Sequence, residues 1–315
     1  MDMNKLADTL ASTRVEVPGT VNVLEVRRAS IDDQHSRLRK MLKVAGEACD
    51  RPFERGQWET QDELTLVRLP QGARAELFHA SGAVRFVSGT APMERLFKEA
   101  EPKKQLFERA DKIFKALGVA ESLGRDETLG FERLWQIKAA GADRQGKKSE
   151  SVLCRAVGAY RHYVEGIPVL GPASVAVHVD GEGELDAYST LLRSPNGAVL
   201  ERTKVLPVER AVRQIVQQVS AQFDAAPGKV ARGDEFTIDC PAGLQFGYLS
   251  LHRRKAQRLL APVFVAVLDV QHEKLRQGMV QIVAATEKSY LPLNPPGQES
   301  PTPATSKING KRRCC

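Results

Sequence analysis

Strand signals in this sequence arrive in hairpin-linked groups, and that grouping limits the available folds more than any other feature. From Ser174 to Val179 the residues Val175, Val177 and Val179 fall at every second position, the period of a strand with one buried face. Glu184 to Leu191 continues the strand signal, and Asp180-Gly181-Glu182-Gly183 between the two is a hairpin turn. Leu64 to Leu69, Ala75 to Phe78 and Val84 to Val87 form an earlier meander, turned at Gln71-Gly72 and Ser81-Gly82. Phe131 to Ala139 and Val152 to Tyr163 flank a polar turn at Asp143 to Glu150. Phe246 to Leu251, Val263 to Val270 and Met279 to Ala284 make the last group. Strands joined by short turns pair antiparallel, so parallel βαβ winding is disfavoured.

A helix precedes each group. Ser30 to Ala48 has a Ser that can cap it, Asp32 and Asp33 in its first turn, and Leu38, Met41, Leu42 and Ala45 on one face. Pro92 is placed to open a second helical stretch through Met93, Leu96 and Phe97, and Pro102 interrupts it. Gln105 to Leu117 follows, with Gly118 placed to end it. Pro207 to Phe223 carries Val212, Ile215, Val216 and Val219 on one face. Residues 1–28 give an ambiguous signal in which Val21 to Val26 fits a strand. The expected fold is α+β, in two to three repeated units, each a helix packed on a twisted antiparallel meander sheet. Unit boundaries are expected at 1–103, 104–205 and 206–293. Residues 294–315 have no apolar periodicity and are expected to be a disordered basic tail.

Composition narrows the partners. The 315 residues are 42% apolar and 27% charged, enough for a sizeable core. Net charge is +7, of which the tail from Pro295 holds +3 (Lys307, Lys311, Arg312 and Arg313 against Glu299). The remainder is too dilute for a nucleic-acid track, and the 6% aromatic share argues against a base-stacking surface. The start of the chain lacks the apolar run of a secretory signal, and its longest apolar run, Leu259 to Val270, falls short of a membrane span. Cys49, Cys154 and Cys240 lie far apart without a CxxC pair. They are expected to be free thiols in a reducing compartment, so the protein is expected to be cytoplasmic.

The segment from Tyr160 to Tyr188, YRHYVEGIPVLGPASVAVHVDGEGELDAY, is the most distinctive. An aromatic pair, Tyr160 and Tyr163, precedes Gly166-Ile167-Pro168-Val169-Leu170-Gly171, an alternating strand, an Asp-Gly turn and a second strand. Gly166 and Gly171 permit positive φ at both ends of a crossover, and Pro168 marks a sheet edge or a bend. This pattern resembles the FTP-type propeptide domain of thermolysin-like metalloproteases and, more loosely, the related PepSY-type domains. The resemblance implies a small α+β module with a binding character, in which Tyr160, Tyr163 and residues Gly166 to Gly171 meet a protein or peptide partner. No HExxH motif is present in these residues, so no attached zincin protease domain is expected.

Catalytic constellations are weak. Cys154 and His162 share a strand face but lie too far apart for a nucleophile–base pair, and the expected reading is a buried thiol and a surface histidine. His35, His79, His162, His178, His252 and His272 never fall at metal-ligand spacing, and no phosphate-binding glycine loop or cofactor motif is present. No catalytic, metal or cofactor residue is therefore assigned. Arg253, Arg254, Lys255 and Arg258 form a basic patch with no aromatic interleaving, which reads as a solvated hairpin loop. Cys314 and Cys315 after a basic run are candidates for lipidation or redox chemistry, and a membrane contact is expected only if they are lipidated. The expected function is non-catalytic protein or peptide binding, regulatory or inhibitor-like. The alternatives are an enzyme of unassigned chemistry with a cleft between units, and a tail-anchored or nucleic-acid-associated adaptor.

Overall fold

A computed structural model describes residues 3–49, 51, 53, 56–91, 93–99, 101–224, 236–272 and 275–293. The protein is mixed α+β, and the chain divides into two compact units. The larger holds Gly19–Lys204 and Phe246–Pro262; the smaller holds Met1–Pro18, Val205–Gln245 and Val263–Cys315.

In the larger unit the elements are β1 (Thr20–Val26), α2 (Ile31–Ala48, α1 being Met3–Ala11 of the smaller unit), β2 (Gln57–Thr60), β3 (Leu64–Arg68), β4 (Arg74–Phe78), β5 (Ala83–Val87), α3 (Lys103–Ala116), β6 (Glu127–Ala139), β7 (Val152–Val164), β8 (Ile167–Leu170), β9 (Val175–Val179), β10 (Leu185–Thr190) and β11 (Pro195–Lys204). Residues Phe246–Leu249 of β13 (Leu244–Leu249) and β14 (Leu259–Leu260) complete it. Its main sheet runs β13-β8-β7-β9-β10-β5-β4-β3-β2, with β6 also on β7. Every pair is antiparallel except β13 with β8. A small antiparallel sheet, β11-β1-β14, accompanies it.

Helices α2 and α3 share one core against this sheet. Leu38, Met41, Leu42 and Ala45 of α2 and Leu106, Ala110, Ile113 and Phe114 of α3 pack with Phe86, Ala156, Tyr160, Val175, Val177 and Val179. Ser30 caps α2 as expected, its Oγ accepting from the Asp33 N–H at 3.1 Å. Phe114 stacks on Tyr160 with ring centroids 3.8 Å apart, and Tyr160 Oη donates to Asp111 Oδ1 at 3.2 Å. Gly158 lets α3 close on β7: a Cβ there would stand 2.9 Å from Ala110 Cβ.

Residues after Pro92, itself outside the described residues, do not form the expected helix. The chain is instead tied in an irregular path by two arginines. Arg155 donates to Ala91 O at 3.2 Å and Glu94 O at 3.1 Å, while Arg95, at φ 53°, meets Asp180, Glu182 and Glu184. Gly181 allows the passage, because a Cβ there would lie 2.3 Å from Leu96 O.

The smaller unit contains α1, α4 (Val208–Asp224), β12 (Phe236–Asp239), β15 (Pro262–His272, from Val263 on) and β16 (Leu275–Ala284). β15 pairs antiparallel with β12 and β16. Leu6 and Leu10 of α1 and Val212, Ile215 and Val219 of α4 are buried. Among the described residues no helix is long and apolar enough to cross a membrane.

Candidate functional site

The segment that carries the family resemblance is woven into the main sheet. Glu165 (φ 52°) and Gly166 (φ 77°) form a two-residue turn of positive φ, the form that matches strand twist in a hairpin. It returns β7 into β8, pairing Val164 with Ile167 and Tyr163 with Pro168. β13 then takes the other side of β8, pairing Tyr248 with Val169 and Leu249 with Leu170. Pro168 is therefore not at an edge. It has no N–H to offer, and Gly247 lets β13 approach its carbonyl, since a Cβ at 247 would lie 2.3 Å from Pro168 O. Gly171 does adopt positive φ, 135°, where a Cβ would meet Ser250 O at 2.9 Å. Tyr160, Val169 and Leu170 are buried; Tyr163, Ile167 and Pro168 are half-buried; Gly166 is exposed. Burial, with Asp111 beside it, pushes the Tyr160 phenol above its ordinary range.

Beneath this turn Arg161 acts as a strut. Its Nη1 donates to Val169 O at 2.9 Å, Pro172 O at 3.2 Å and Gly171 O at 3.3 Å, and Nη2 meets Glu132 at 2.8 Å. Burial alone would raise the Glu132 carboxyl, but hydrogen bonds and charge from Arg161 and Arg133 hold it below its usual range.

The open surface next to this segment belongs to β6. That strand is 13 residues long and pairs with β7 throughout, and among the described residues nothing pairs with its other edge. Register shifts at Phe131/Arg133 and Ile137/Lys138 bound a regular stretch, Arg133 to Ile137, about 17 Å long at the usual strand rise. Phe131, Trp135 and Ile137 are exposed by 46%, 42% and 43%. They decorate both faces. Phe131 lies opposite Tyr160, against Phe107 at 4.4 Å between ring centroids. Trp135 lies opposite Val157, and Ile137 opposite Arg155, on the face away from α3. The Arg133 guanidinium sits 5.3 Å from the Trp135 ring. Such an edge offers unpaired backbone donors and acceptors together with apolar side chains. Sequence alone gives β6 as a strand; its edge position depends on which strands fold beside it.

The nucleophile–base reading is not realised. Cys154 is buried, and its thiol points to Val152 O at 3.6 Å. His162 is not at the surface but fully buried, because β6 covers β7 there: its Nε2 lies 2.8 Å from Glu127 Oε2, and Ser174 Oγ accepts from its backbone N–H. Burial would raise the Glu127 carboxyl; bonds from His162, Ser194 and the Gly124 N–H overcome that and lower it. His178, on β9 opposite Val157, is held below the ordinary histidine range by burial, with Arg155 and Arg85 acting the same way. Among the described residues no three metal-ligating side chains converge. The basic patch occupies the turn Leu251 to Arg258, and Cys314 and Cys315 lie outside the described residues.

No protein-family model matches this chain, and no curated protein matches it. Among solved structures it is similar to an uncharacterized protein from Eubacterium rectale ATCC 33656, whose crystal structure was determined at 1.45 Å. The TM-score is 0.52 at 10% sequence identity, over 91% of this chain and 97% of that one. At that identity the likeness is one of fold alone.

Proposed function

We propose that the protein is a non-catalytic binder of a protein or peptide partner, of regulatory or inhibitor-like character, and that an extended segment of the partner adds to the β6 edge. One observation carries the reading: a long strand, with one edge unpaired among the described residues, exposes Phe131, Trp135 and Ile137 together. Main-chain bonds along Arg133 to Ile137 would supply affinity, and the apolar side chains on either face would select alternate residues of the added strand. The FTP/PepSY likeness belongs to this proposal. What supports it is the order α3, β6, β7, the tight turn, β8 and the β9–β10 hairpin, with α3 packed on the sheet. The repeated-unit reading has similar support, since α2, α3 and α4 each precede a group of strands. Buried free thiols at Cys49, Cys154 and Cys240 favour a reducing, cytoplasmic setting.

The test pairs affinity capture with hydrogen exchange. Wild type and a Trp135→Asp, Ile137→Asp variant, matched by circular dichroism, are used as baits. The captured partner's binding segment is then synthesised as a peptide. The proposal expects the variant to lose that partner and the peptide to protect amides of β6 in the wild type. Equal capture by both baits, or protection confined to other strands, refutes it.

A further inference from the structure

The turn from Leu251 to Arg258 is built with more care than a solvated loop needs. Arg254, Lys255 and Arg258 are exposed, Arg253 is half-buried, and among the described residues none of the four pairs with a carboxylate. The backbone beneath them is pinned from several directions. Gln257 Oε1 accepts from the Leu251 N–H at 2.9 Å, while its Nε2 donates to Leu249 O at 2.6 Å and Leu259 O at 2.8 Å. Ser81 Oγ donates to Arg253 O at 2.6 Å, and the Lys255 N–H closes the turn on His252 O at 2.8 Å.

Under this turn lies a fifth cation. Arg193 is 2% exposed, and its Nη2 donates to Lys255 O at 3.0 Å, Leu251 O at 3.2 Å and His252 O at 3.4 Å. Its Nε is buried without a partner, and so is the Nε of Arg253, whose guanidinium lies over Phe78 at 4.9 Å. Burial lowers the Arg193 pKa to about 10. Neutral carbonyls compensate a buried guanidinium less well than an anion does. Five like charges are fixed at one turn, with guanidinium N–H groups to spare, and among the described residues no carboxylate lies within ion-pair distance of them.

We propose that this turn binds a small polyanion carrying two or more phosphate groups. Arg253, Arg254, Lys255 and Arg258 make the contacts, and Arg193 and Gln257 act as positioning residues. Tetrahedral phosphate oxygens accept forked bonds from guanidinium groups, and a chain of phosphates matches several fixed cations at once. A nucleic acid fits less well. The turn carries no Phe, Tyr or Trp ring for stacking, and Phe78 is buried beneath Arg253.

The experiment is calorimetric titration of the full chain with inorganic tripolyphosphate at low ionic strength. The expected result is a Kd below about 1 mM that weakens as salt is added. An Arg254→Gln, Lys255→Gln variant should bind about 25-fold more weakly, from about fivefold for each cation removed. A Lys104→Gln, Lys115→Gln variant removes the same charge from α3, where both lysines already face carboxylates, and should bind as wild type. No binding by wild type, or equal weakening in both variants, overturns the proposal. So does binding of single-stranded RNA that tripolyphosphate cannot displace. Vesicles containing a phosphoinositide separate the sources. If they bind and tripolyphosphate competes, the site stands with a lipid headgroup as ligand; if they fail while tripolyphosphate binds, its ligand is a soluble phosphate.

Discussion

Gly158 offers a quantitative check on the packing of α3 against the sheet. Alanine at this position would put its Cβ 2.9 Å from Ala110 Cβ, whereas ordinary contact begins near 3.4 Å. The helix cannot simply retreat, because the Phe114–Tyr160 stack and the Tyr160–Asp111 hydrogen bond hold it to β7. Overpacking of this kind costs about 1–3 kcal/mol. Replacing glycine in a strand returns about 0.5–1 kcal/mol of backbone entropy, so Gly158→Ala should destabilise by about 1–2 kcal/mol. Ala110→Gly alone should cost about 1 kcal/mol in helix propensity and about 0.8 kcal/mol for the lost methyl. In the double variant the methyl added at position 158 occupies the space vacated at position 110, so the overpacking and methyl terms drop out; the helix-propensity cost less the return at position 158 leaves a total of about 0–1 kcal/mol rather than the additive 3–4 kcal/mol. Urea denaturation of the four proteins, followed by circular dichroism, measures the cycle. Additivity within about 0.5 kcal/mol would mean that the two positions do not meet, and the close approach would be refuted.

Four further outcomes follow from the side-chain environments. Because folding lowers the Glu127 pKa, its stabilisation is complete above the unfolded value near 4.5 and is lost as pH falls through the lower folded value; acid titration of stability should be shallower in Glu127→Gln. The Cys49 thiol is raised to about 12 by burial and then by Glu184, so iodoacetamide should leave it unmodified at neutral pH and label it only in denaturant, as peptide mass mapping can show. Trp135→Asp with Ile137→Asp should change the urea midpoint little, about 0.5 kcal/mol or less for each, since both side chains are exposed. Arg193→Met should cost about 2–3 kcal/mol and speed amide exchange at Lys255, because it strands three carbonyls that the guanidinium now satisfies.

The local signals that proved readable are those whose physics is local. Ser30 followed by Asp32 and Asp33 marks the start of α2, and the turns at Gln71-Gly72, Ser81-Gly82 and Asp180-Gly181 separate strands that do pair. The segment Ile167 to Leu170 reads as a crossover because it is short and contains proline; the tight turn that returns it onto β7 and the arrival of β13 from far along the chain together make it a strand. β2, β11 and β12 are mostly polar or short, so periodicity does not reveal them. The stretch after Pro92 has apolar spacing suited to a helix, yet Arg155 captures its carbonyls and Arg95 ties it to the acids of the β9–β10 turn. The site is harder to read than the fold. The Glu127–His162 pair joins residues 35 positions apart, the strut under the β8 turn depends on an arginine within a strand, and the buried partner of the basic turn, Arg193, lies 58 residues or more from the carbonyls it holds.

The pairing of β13 with β8 also sets a schedule for synthesis. The larger unit is completed by residues 246–262, which follow a long excursion of the chain into the smaller unit. On a ribosome, β7 and β8 emerge and form their hairpin while β13 does not yet exist, so the outer side of Ile167 to Leu170 is unprotected for the time needed to make about 80 more residues, several seconds or longer. During that interval an apolar edge of the nascent sheet, Ile167 to Leu170, is open to chaperones, to aggregation and to neighbouring nascent chains. A chain truncated after Lys204 would carry that exposure permanently.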